Sequence, residues 1–297
     1  MRIVVRSVMP LVSIFLIALC QVVGVSASDQ SSGINFSTIK QSAILSAASY
    51  SSVPTQGVAG TDFKPVEQIV LPVTAVSYFF ARNATTQALS FRGTSNLENV
   101  LVDLDVSLKS DAHSGILLHQ GFAAAAWDAY QNVKPKLDAS QPIITTGHSL
   151  GGAIAVIVAM YLQKDGFNVS QVITFGQPKV TNVAGAGAYA SLPLTRVVTP
   201  KDIVPLVPPL SPLQLQNLDI YWHMGQEVIL MAERKYALTS GLKSMMRATK
   251  FVSSVPDETN LHAHQMATYL QLINSNLQFA EEVPYKMEIN LFGFSLD

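Results

Sequence analysis

The chain is poor in cysteine: one residue in 297, Cys20. An internal disulfide is therefore excluded, and thiol chemistry would have to rest on that one residue. It is also poor in charge. Asp, Glu, Lys and Arg make up 13% of the chain, against about 25% in an ordinary soluble domain. The formal net charge is −1, so nothing favours nucleic acid or a polyanionic partner. Low charge fits work at a greasy interface and equally a Ser/Ala-rich secreted protein. An uninterrupted apolar run of membrane-spanning length is missing too. The most apolar stretch, residues 8–19, is broken by Pro10 and followed by Gln21, and falls short of the ~20 residues a span needs. No internal repeat or low-complexity block is visible.

What is present begins with that stretch. Arg2 and Arg6 precede it, and Val25-Ser26-Ala27 offers small residues at cleavage-site spacing. This is the layout of a secretory signal peptide, residues 1–27, cut after Ala27; the competing reading is an N-terminal membrane anchor. Cys20 falls inside the leader, and Leu19 is not the small residue that a lipoprotein signal requires before its cysteine. The expected mature chain, 28–297, thus has no cysteine and is expected to be secreted. With 48% hydrophobic residues it can fill one large core, and a single domain is the default at this length. Asn35, Asn83 and Asn168 open N-x-S/T triplets, which matter only in a eukaryotic secretory pathway.

Strands and helices alternate along the chain. Residues 37–50 carry apolar positions at helical spacing, with Ser37 as a candidate N-cap. Residues 75–81 and 86–92 read as a hairpin around Asn83. Residues 121–133 read as a helix, and 171–175, 195–199 and 227–231 as strands. Residues 200–213 are proline-rich and read as an extended loop, 238–255 as a helix, and 264–274 as a last helix. Such alternation argues for an α/β protein with a mostly parallel central sheet and helices on both faces.

The heptapeptide Thr146-Gly147-His148-Ser149-Leu150-Gly151-Gly152 holds the pattern G-x-S-x-G. A β-branched run, 142–145, precedes it and an almost wholly apolar run, 153–162, follows. A strand, a glycine-flanked turn and a helix make the nucleophile elbow of an α/β-hydrolase fold. The alternative is a glycine-rich turn without chemistry. A serine nucleophile needs a base to take its proton and an acid to orient that base, in chain order Ser, acid, His. Among the acids, Asp202 follows a strand end, where functional groups collect in such sheets; it could equally cap a turn. Asp165 ends the elbow helix and faces away, and Asp219 follows no clear strand. His223, His262 and His264 are the downstream histidines, the late pair being better placed. The oxyanion donors expected are the Leu150 N–H and Thr94, which ends the strand-like segment Leu89-Ser90-Phe91-Arg92-Gly93-Thr94.

Taken together, these segments resemble the class 3 lipases, the family of fungal triacylglycerol lipases and their relatives, from about residue 37 to 272. Ser90-Phe91-Arg92-Gly93-Thr94 is similar to the family's oxyanion segment, and His119-Gln120-Gly121-Phe122 to its H-x-G-F. Residues 146–152 match its elbow, 174–180 its T-F-G-x-P-x-V, and Asp202-Ile203-Val204-Pro205 its D-x-V-P. Residues 221–227 match its Y-x-H-x-G-x-E, and 264–270 its H-x-M-x-x-Y-L. The resemblance implies a secreted carboxylic ester hydrolase, a triacylglycerol lipase first of all. A phospholipase A1, a feruloyl or short-chain esterase, or a non-catalytic lipid-binding homologue are the alternatives. It implies Ser149, Asp202 and His264 as the triad, Thr94 and Leu150 as oxyanion donors, and no metal or cofactor. Its expected partner is a lipid or other ester at a lipid–water interface, with no nucleic acid and no membrane span in the mature chain. It makes His223 structural, leaves His262 in a loop as the backup base, has His148 brace the elbow, and packs His119 beneath the oxyanion loop.

The chain departs from the resemblance in three places. Val100 stands in 96–103 where fungal relatives often carry a lid tryptophan, and the disulfides of secreted members are absent. Residues 235–255 read as a mixed helix. Leu238, Leu242, Met245, Met246 and Val252 line one face, and Lys243, Arg247 and Lys250 another. A basic amphipathic helix suits a membrane surface; docking on the sheet is the alternative.

Overall fold

The architecture is that of a computed structural model, which describes residues 34–52, 57–94, 107–209, 212–217, 219–244, 257–285, 289–291 and 294–296. The expected leader, the 96–103 stretch and most of the 235–255 segment fall outside the described residues. In chain order the first elements are α1 (Phe36–Ala48), β1 (Lys64–Val70), β2 (Ser77–Arg82), β3 (Gln87–Phe91), β4 (Leu108–Ser110), β5 (Leu117–His119) and α2 (Gln120–Val133). Then come β6 (Ile143–His148), α3 (Leu150–Lys164), β7 (Val169–Phe175), β8 (Thr181–Asn182), α4 (Val183–Ala188), β9 (Leu194–Val198) and α5 (Pro212–Asn217). The last are β10 (Tyr221–Trp222), β11 (Gln226–Leu230), β12 (Lys235–Thr239), α6 (Glu258–His264), α7 (Met266–Asn276), β13 (Glu281–Glu282), β14 (Ile289–Leu291) and β15 (Phe294–Leu296).

Nine strands form the main sheet in the order β1-β2-β3-β6-β7-β9-β11-β12-β13. Its centre, β3-β6-β7-β9-β11, is parallel, and β1, β2 and β12 pair antiparallel at the flanks. This is the α/β-hydrolase arrangement expected. The alternation of side chains explains why both faces must be covered. Tyr78, Phe80, Leu89, Phe91 and Ile143 join the core beneath α2 and α3, while Phe79, Ala81, Ala88 and Ile144 point the other way, toward Leu45 of α1. Helix α3 is buried on every side from Gly151 to Leu162, as a helix without a polar face must be. A second, smaller sheet has the order β10-β8-β5-β4.

Several expectations need correction. Residues 235–239 are not helical. They form β12, paired antiparallel with β11, and the helix resumes only at 241–244 among the described residues. The hairpin between them turns at Glu233 and Arg234, both with φ of 60°, closed by the Lys235 N–H donating to the Ala232 carbonyl. Such a type I′ turn ordinarily advertises itself with Asn-Gly; Glu-Arg carries no such signal. Strand β1 was not foreseen because it is largely exposed and lacks apolar alternation. Ser37 lies inside α1 rather than capping it. The loop at 200–213 contains a 3-10 turn, Val204–Leu206, and the start of α5. The last helix is two, broken at Gln265, and His264 ends the first of them. No helix among the described residues is long and apolar enough to cross a membrane.

Candidate active site

Four adjacent parallel strands, β3, β6, β7 and β9, end on one edge of the sheet. Each delivers a residue of interest just past its carboxyl end: Gly93 and Thr94 after β3, Ser149 after β6, Gly176 after β7, Asp202 after β9. This is the edge where open α/β sheets place ligands, because the crossover helices leave the strand ends uncovered.

Ser149 sits between β6 and α3 with φ 58° and ψ −130°. A non-glycine residue in that region stores about 1–3 kcal/mol of strain, and the flanking glycines make it feasible. A Cβ on Gly147 would lie 2.4 Å from the Gly151 backbone, and one on Gly151 would lie 2.2 Å from the Phe91 carbonyl oxygen. Helix and strand therefore close on the turn only because both positions lack side chains. The Ser149 N–H donates to the Phe175 carbonyl at 2.8 Å, fixing the elbow to β7. Leu150 opens α3, so its N–H belongs to the first turn, where intrahelical partners are missing. Gly93 lies against the elbow: a Cβ there would be 3.0 Å from that of Ser149. Thr94 is the next residue.

Asp202 and His264 are brought together from positions 62 residues apart. His264 Nδ1 lies 3.0 and 2.9 Å from the two carboxylate oxygens of Asp202. A carboxylate can only accept, so Nδ1 carries the proton and Nε2 is left with the lone pair. That Nε2 is buried and has no hydrogen-bond partner among the described residues. Both residues pack on the end of β7, since a Cβ on Gly176 would meet Asp202 Oδ2 and the His264 ring at 2.7–2.8 Å.

Two further contacts hold the Asp202 carboxylate. The Tyr269 hydroxyl donates to Oδ2 and the Val204 N–H to Oδ1. Burial pushes the Asp202 carboxyl up, but the charge of His264 and these hydrogen bonds outweigh it and leave the pKa below the usual carboxylate value. The loop after Asp202 is clamped as well. His223 Nε2 donates to the Pro205 carbonyl at 2.6 Å, and the buried Lys179 Nζ donates to the Leu206 and Pro208 carbonyls. His264 is carried on α6, which Thr199 and Asn260 tie to this loop through the Ala263 and Lys201 carbonyls.

The other histidines sort by position. His223 precedes a strand and holds a carbonyl, as expected. His262 shares α6 with His264, in a helix rather than a loop, and its carbonyl accepts from the Thr268 hydroxyl. His119 caps α2 by accepting from the Phe122 N–H and stacks on the Phe122 ring at 3.8 Å. Asp165 ends α3, bound to Tyr130, Lys134 and His113, at the opposite end of the helix from Ser149. Asp219 accepts from Asn182. Sequence reasoning missed Lys179, Tyr50 and the acid-binding role of Tyr269, although Lys179 and Tyr269 stand inside motifs it quoted.

His148 is buried, with its ring 4.4 Å from that of His264. Burial first, then the neighbouring charge of His264, lowers its pKa to about 3. Its folded-state pKa thus lies below the unfolded value of about 6.5. The stability it contributes is complete above that value and is lost as pH falls toward about 3. We expect the urea midpoint to decline from pH 6.5 to 4, and the decline to be shallower in His148→Gln. Parallel curves for the two proteins would remove this source of acid sensitivity.

A family model described as Lipase (class 3) matches residues 88–211, which span the Ser149 elbow, residues 90–94 and Asp202. The chain is 34% identical over 149 residues to a lipase of Rhizomucor miehei, covering 44% of this chain and 40% of that one. It is 33% identical over 159 residues to the secreted mono- and diacylglycerol lipase 1 of Fusarium solani, covering 50% and 47%. It therefore spans about half or less of the length of these relatives. Among solved structures, the Rhizomucor miehei triacylglyceride lipase superposes with a TM-score of 0.55 at 27% identity, over 68% of this chain and 81% of that one. The lipase of Rhizopus microsporus var. chinensis superposes with a TM-score of 0.56 at 26% identity, over 68% and 75%. Motif order, sheet topology and the meeting of strand ends agree with these matches: the chain is similar to the class 3 lipases, and its residues 88–211 match their family model.

Proposed function

We propose that this protein is a secreted serine hydrolase of carboxylic esters, acting on acylglycerols through an acyl-enzyme. The observation that carries the reading is the His264–Asp202 pair beside the strained Ser149 elbow, with Nδ1 committed to the acid and Nε2 left as the base. In this mechanism Ser149 Oγ attacks the ester carbonyl while His264 Nε2 takes its proton. The Leu150 N–H and Thr94 hold the tetrahedral oxyanion, each such donor being worth about 10²–10³ in rate. The oxyanion collapses, the C–O bond to the alcohol breaks, and His264 returns the proton to the leaving alcohol. Water, deprotonated by His264, then attacks the acyl-enzyme and restores Ser149 as the fatty acid departs. Asp202 stays ionised throughout and stabilises the His264 imidazolium. The leader at 1–27 delivers the chain to the secretory pathway, in keeping with the secreted Fusarium relative.

The relatives' names span mono-, di- and triacylglycerols, so the head group is tested directly. A fluorophosphonate is expected to label Ser149 with one equivalent. Rates on p-nitrophenyl esters are expected to rise with chain length, and tri- and diacylglycerol emulsions to be hydrolysed faster than phospholipid. Absence of labelling makes the protein a non-catalytic homologue. A maximum at acetate or butyrate makes it a short-chain esterase, and faster turnover of phospholipid a phospholipase A1.

A further inference from the structure

Two parts of the proposed machinery must act on one carbonyl: the oxyanion loop at 93–94 and the base at His264. They come from chain segments about 170 residues apart, and between them lie two residues that the mechanism above does not use. The His148 ring is wedged between Tyr50 and His264, at centroid distances of 5.8 and 4.4 Å. His148 Nε2 is 2.6 Å from the His264 carbonyl oxygen, and its Nδ1 is 2.7 Å from the Tyr50 hydroxyl. The Tyr50 hydroxyl in turn packs against Gly93, where a Cβ would lie 2.4 Å from it.

The polarity of this chain follows from donor and acceptor inventory alone. A peptide carbonyl only accepts, so His148 carries its proton on Nε2 and gives it to His264. Nδ1 is then an acceptor, so the Tyr50 hydroxyl donates to it. Each link fixes the next, and the alternative tautomer would set a lone pair against a carbonyl oxygen at 2.6 Å. The chain also stays constant during turnover: His148, lowered to about 3 by burial and by its neighbour, remains neutral while His264 gains and loses a proton. Tyr50, raised to about 12 by burial, keeps its hydroxyl proton.

We infer that Tyr50 and His148 are positioning residues that bridge the oxyanion loop at Gly93 to the backbone of His264, holding the separation between the oxyanion donors and the base. The inference rests on the ester-hydrolase reading of Ser149 and His264. The close fit at Gly93 supports it: a Cβ there would lie 2.4 Å from the Tyr50 hydroxyl and 2.5 Å from the His148 carbonyl, so the loop rests directly on the bridge and cannot move closer to it. Hydrogen bonds from the last turn of α1, which leads into Tyr50, fix the neighbouring backbone. Ser46 meets Thr146 at 2.8 Å, and Ser90 donates to the Leu45 carbonyl at 2.9 Å.

The test compares Tyr50→Phe, His148→Phe and the double variant, with kcat expressed per fluorophosphonate-titrated site so that loss of folded protein does not count. Misplacement on this scale is expected to lower kcat roughly 10- to 100-fold in each single variant, with KM changed by no more than about twofold. Because the two residues form one chain, the double variant is expected to be no slower than the slower single variant. A Tyr50→Phe enzyme with kcat within about twofold of wild type, or losses that multiply in the double variant, overturns the inference. Imidazole ¹⁵N NMR gives a second readout that survives poor folding of the His148 variant. Wild-type His148 is expected as the Nε2–H tautomer, without titrating between pH 5 and 8, and the Nδ1–H tautomer there overturns the bridge whatever the kinetics. Should the wild type neither label nor turn over esters, the hydrolase reading falls and the positioning role falls with it. Turnover by the wild type with an unaffected Tyr50→Phe removes the positioning role alone.

Discussion

Ser149→Ala is expected to lower kcat for ester hydrolysis by a factor on the order of 10⁵–10⁶ while the protein stays folded. The reason lies in the geometry of the elbow. Only one side chain projects from the turn between β6 and α3, and the flanking Gly147 and Gly151 are packed too tightly against Gly151 and Phe91 backbone to offer another. In the proposed mechanism, removing Oγ removes the nucleophile and leaves the oxyanion donors and the base in place, so a residual acceleration of about 10³–10⁴ over water is expected to remain. Folding is spared because the Ser149 N–H, not its hydroxyl, makes the bond to Phe175. The measurement is single-site kinetics on purified variant, with circular dichroism and a urea melt as folding controls. Substantial hydrolysis by pure Ser149→Ala would sink the nucleophile assignment. Loss of fold without that nucleophile would show that the hydroxyl carries structural weight.

The second large effect separates the histidines. His264→Ala is expected to match Ser149→Ala in the loss of kcat, because the residues of such a unit fail together. His223→Ala removes a donor from the Pro205 carbonyl and lowers stability by about 1–3 kcal/mol, but leaves His264 paired with Asp202. Its kcat per folded molecule is expected to stay far above that of His264→Ala. The contrast follows from what each ring does with its nitrogens. His223 spends Nε2 on a carbonyl, whereas His264 spends Nδ1 on a carboxylate and keeps Nε2 for a proton. The reverse ranking would move the base to His223 and detach it from Asp202. His262→Ala belongs in the same series as the neighbour from the same helix.

Much of the fold is legible in local patterns. The strands of the sheet centre are runs of β-branched and apolar residues, and α3 is apolar without a break, so burial on both faces is written into composition. The hairpin at Asn83 has its own turn chemistry: the Asn83 side chain accepts from the Thr85 and Thr86 N–H groups. Where chemistry of that kind is missing, legibility fails. The β11–β12 hairpin turns on Glu233 and Arg234 in the left-handed region, with no glycine or asparagine to announce it, and Leu238 reads there as part of a helix. Pairing with β11 and burial of Tyr236 and Ala237 decide the matter, since strand preference is set by neighbours in the sheet more than by the residues alone.

The site divides in the same way. Residues close in sequence to the elbow are read from the motif, because the turn itself demands glycine, serine and glycine at set spacing. Asp202 and His264 could only be narrowed to candidates from their own surroundings, and the family resemblance was needed to choose among three histidines. The residues that were not foreseen, Tyr50, Lys179 and Tyr269, act over separations of 98, 27 and 67 residues. Spacing along a chain carries no record of such contacts.

By itself, then, the sequence determined the elements of the sheet centre, the elbow at Ser149 and the low charge, since each depends on residues within a turn or two of one another. Tertiary structure alone decided that four strand ends meet at one edge and that α6 packs against the ends of β7 and β9. It also decided which ring nitrogen of His148, His223 and His264 holds the proton, because that depends on whether a carboxylate, a hydroxyl or a carbonyl from a distant segment stands opposite it.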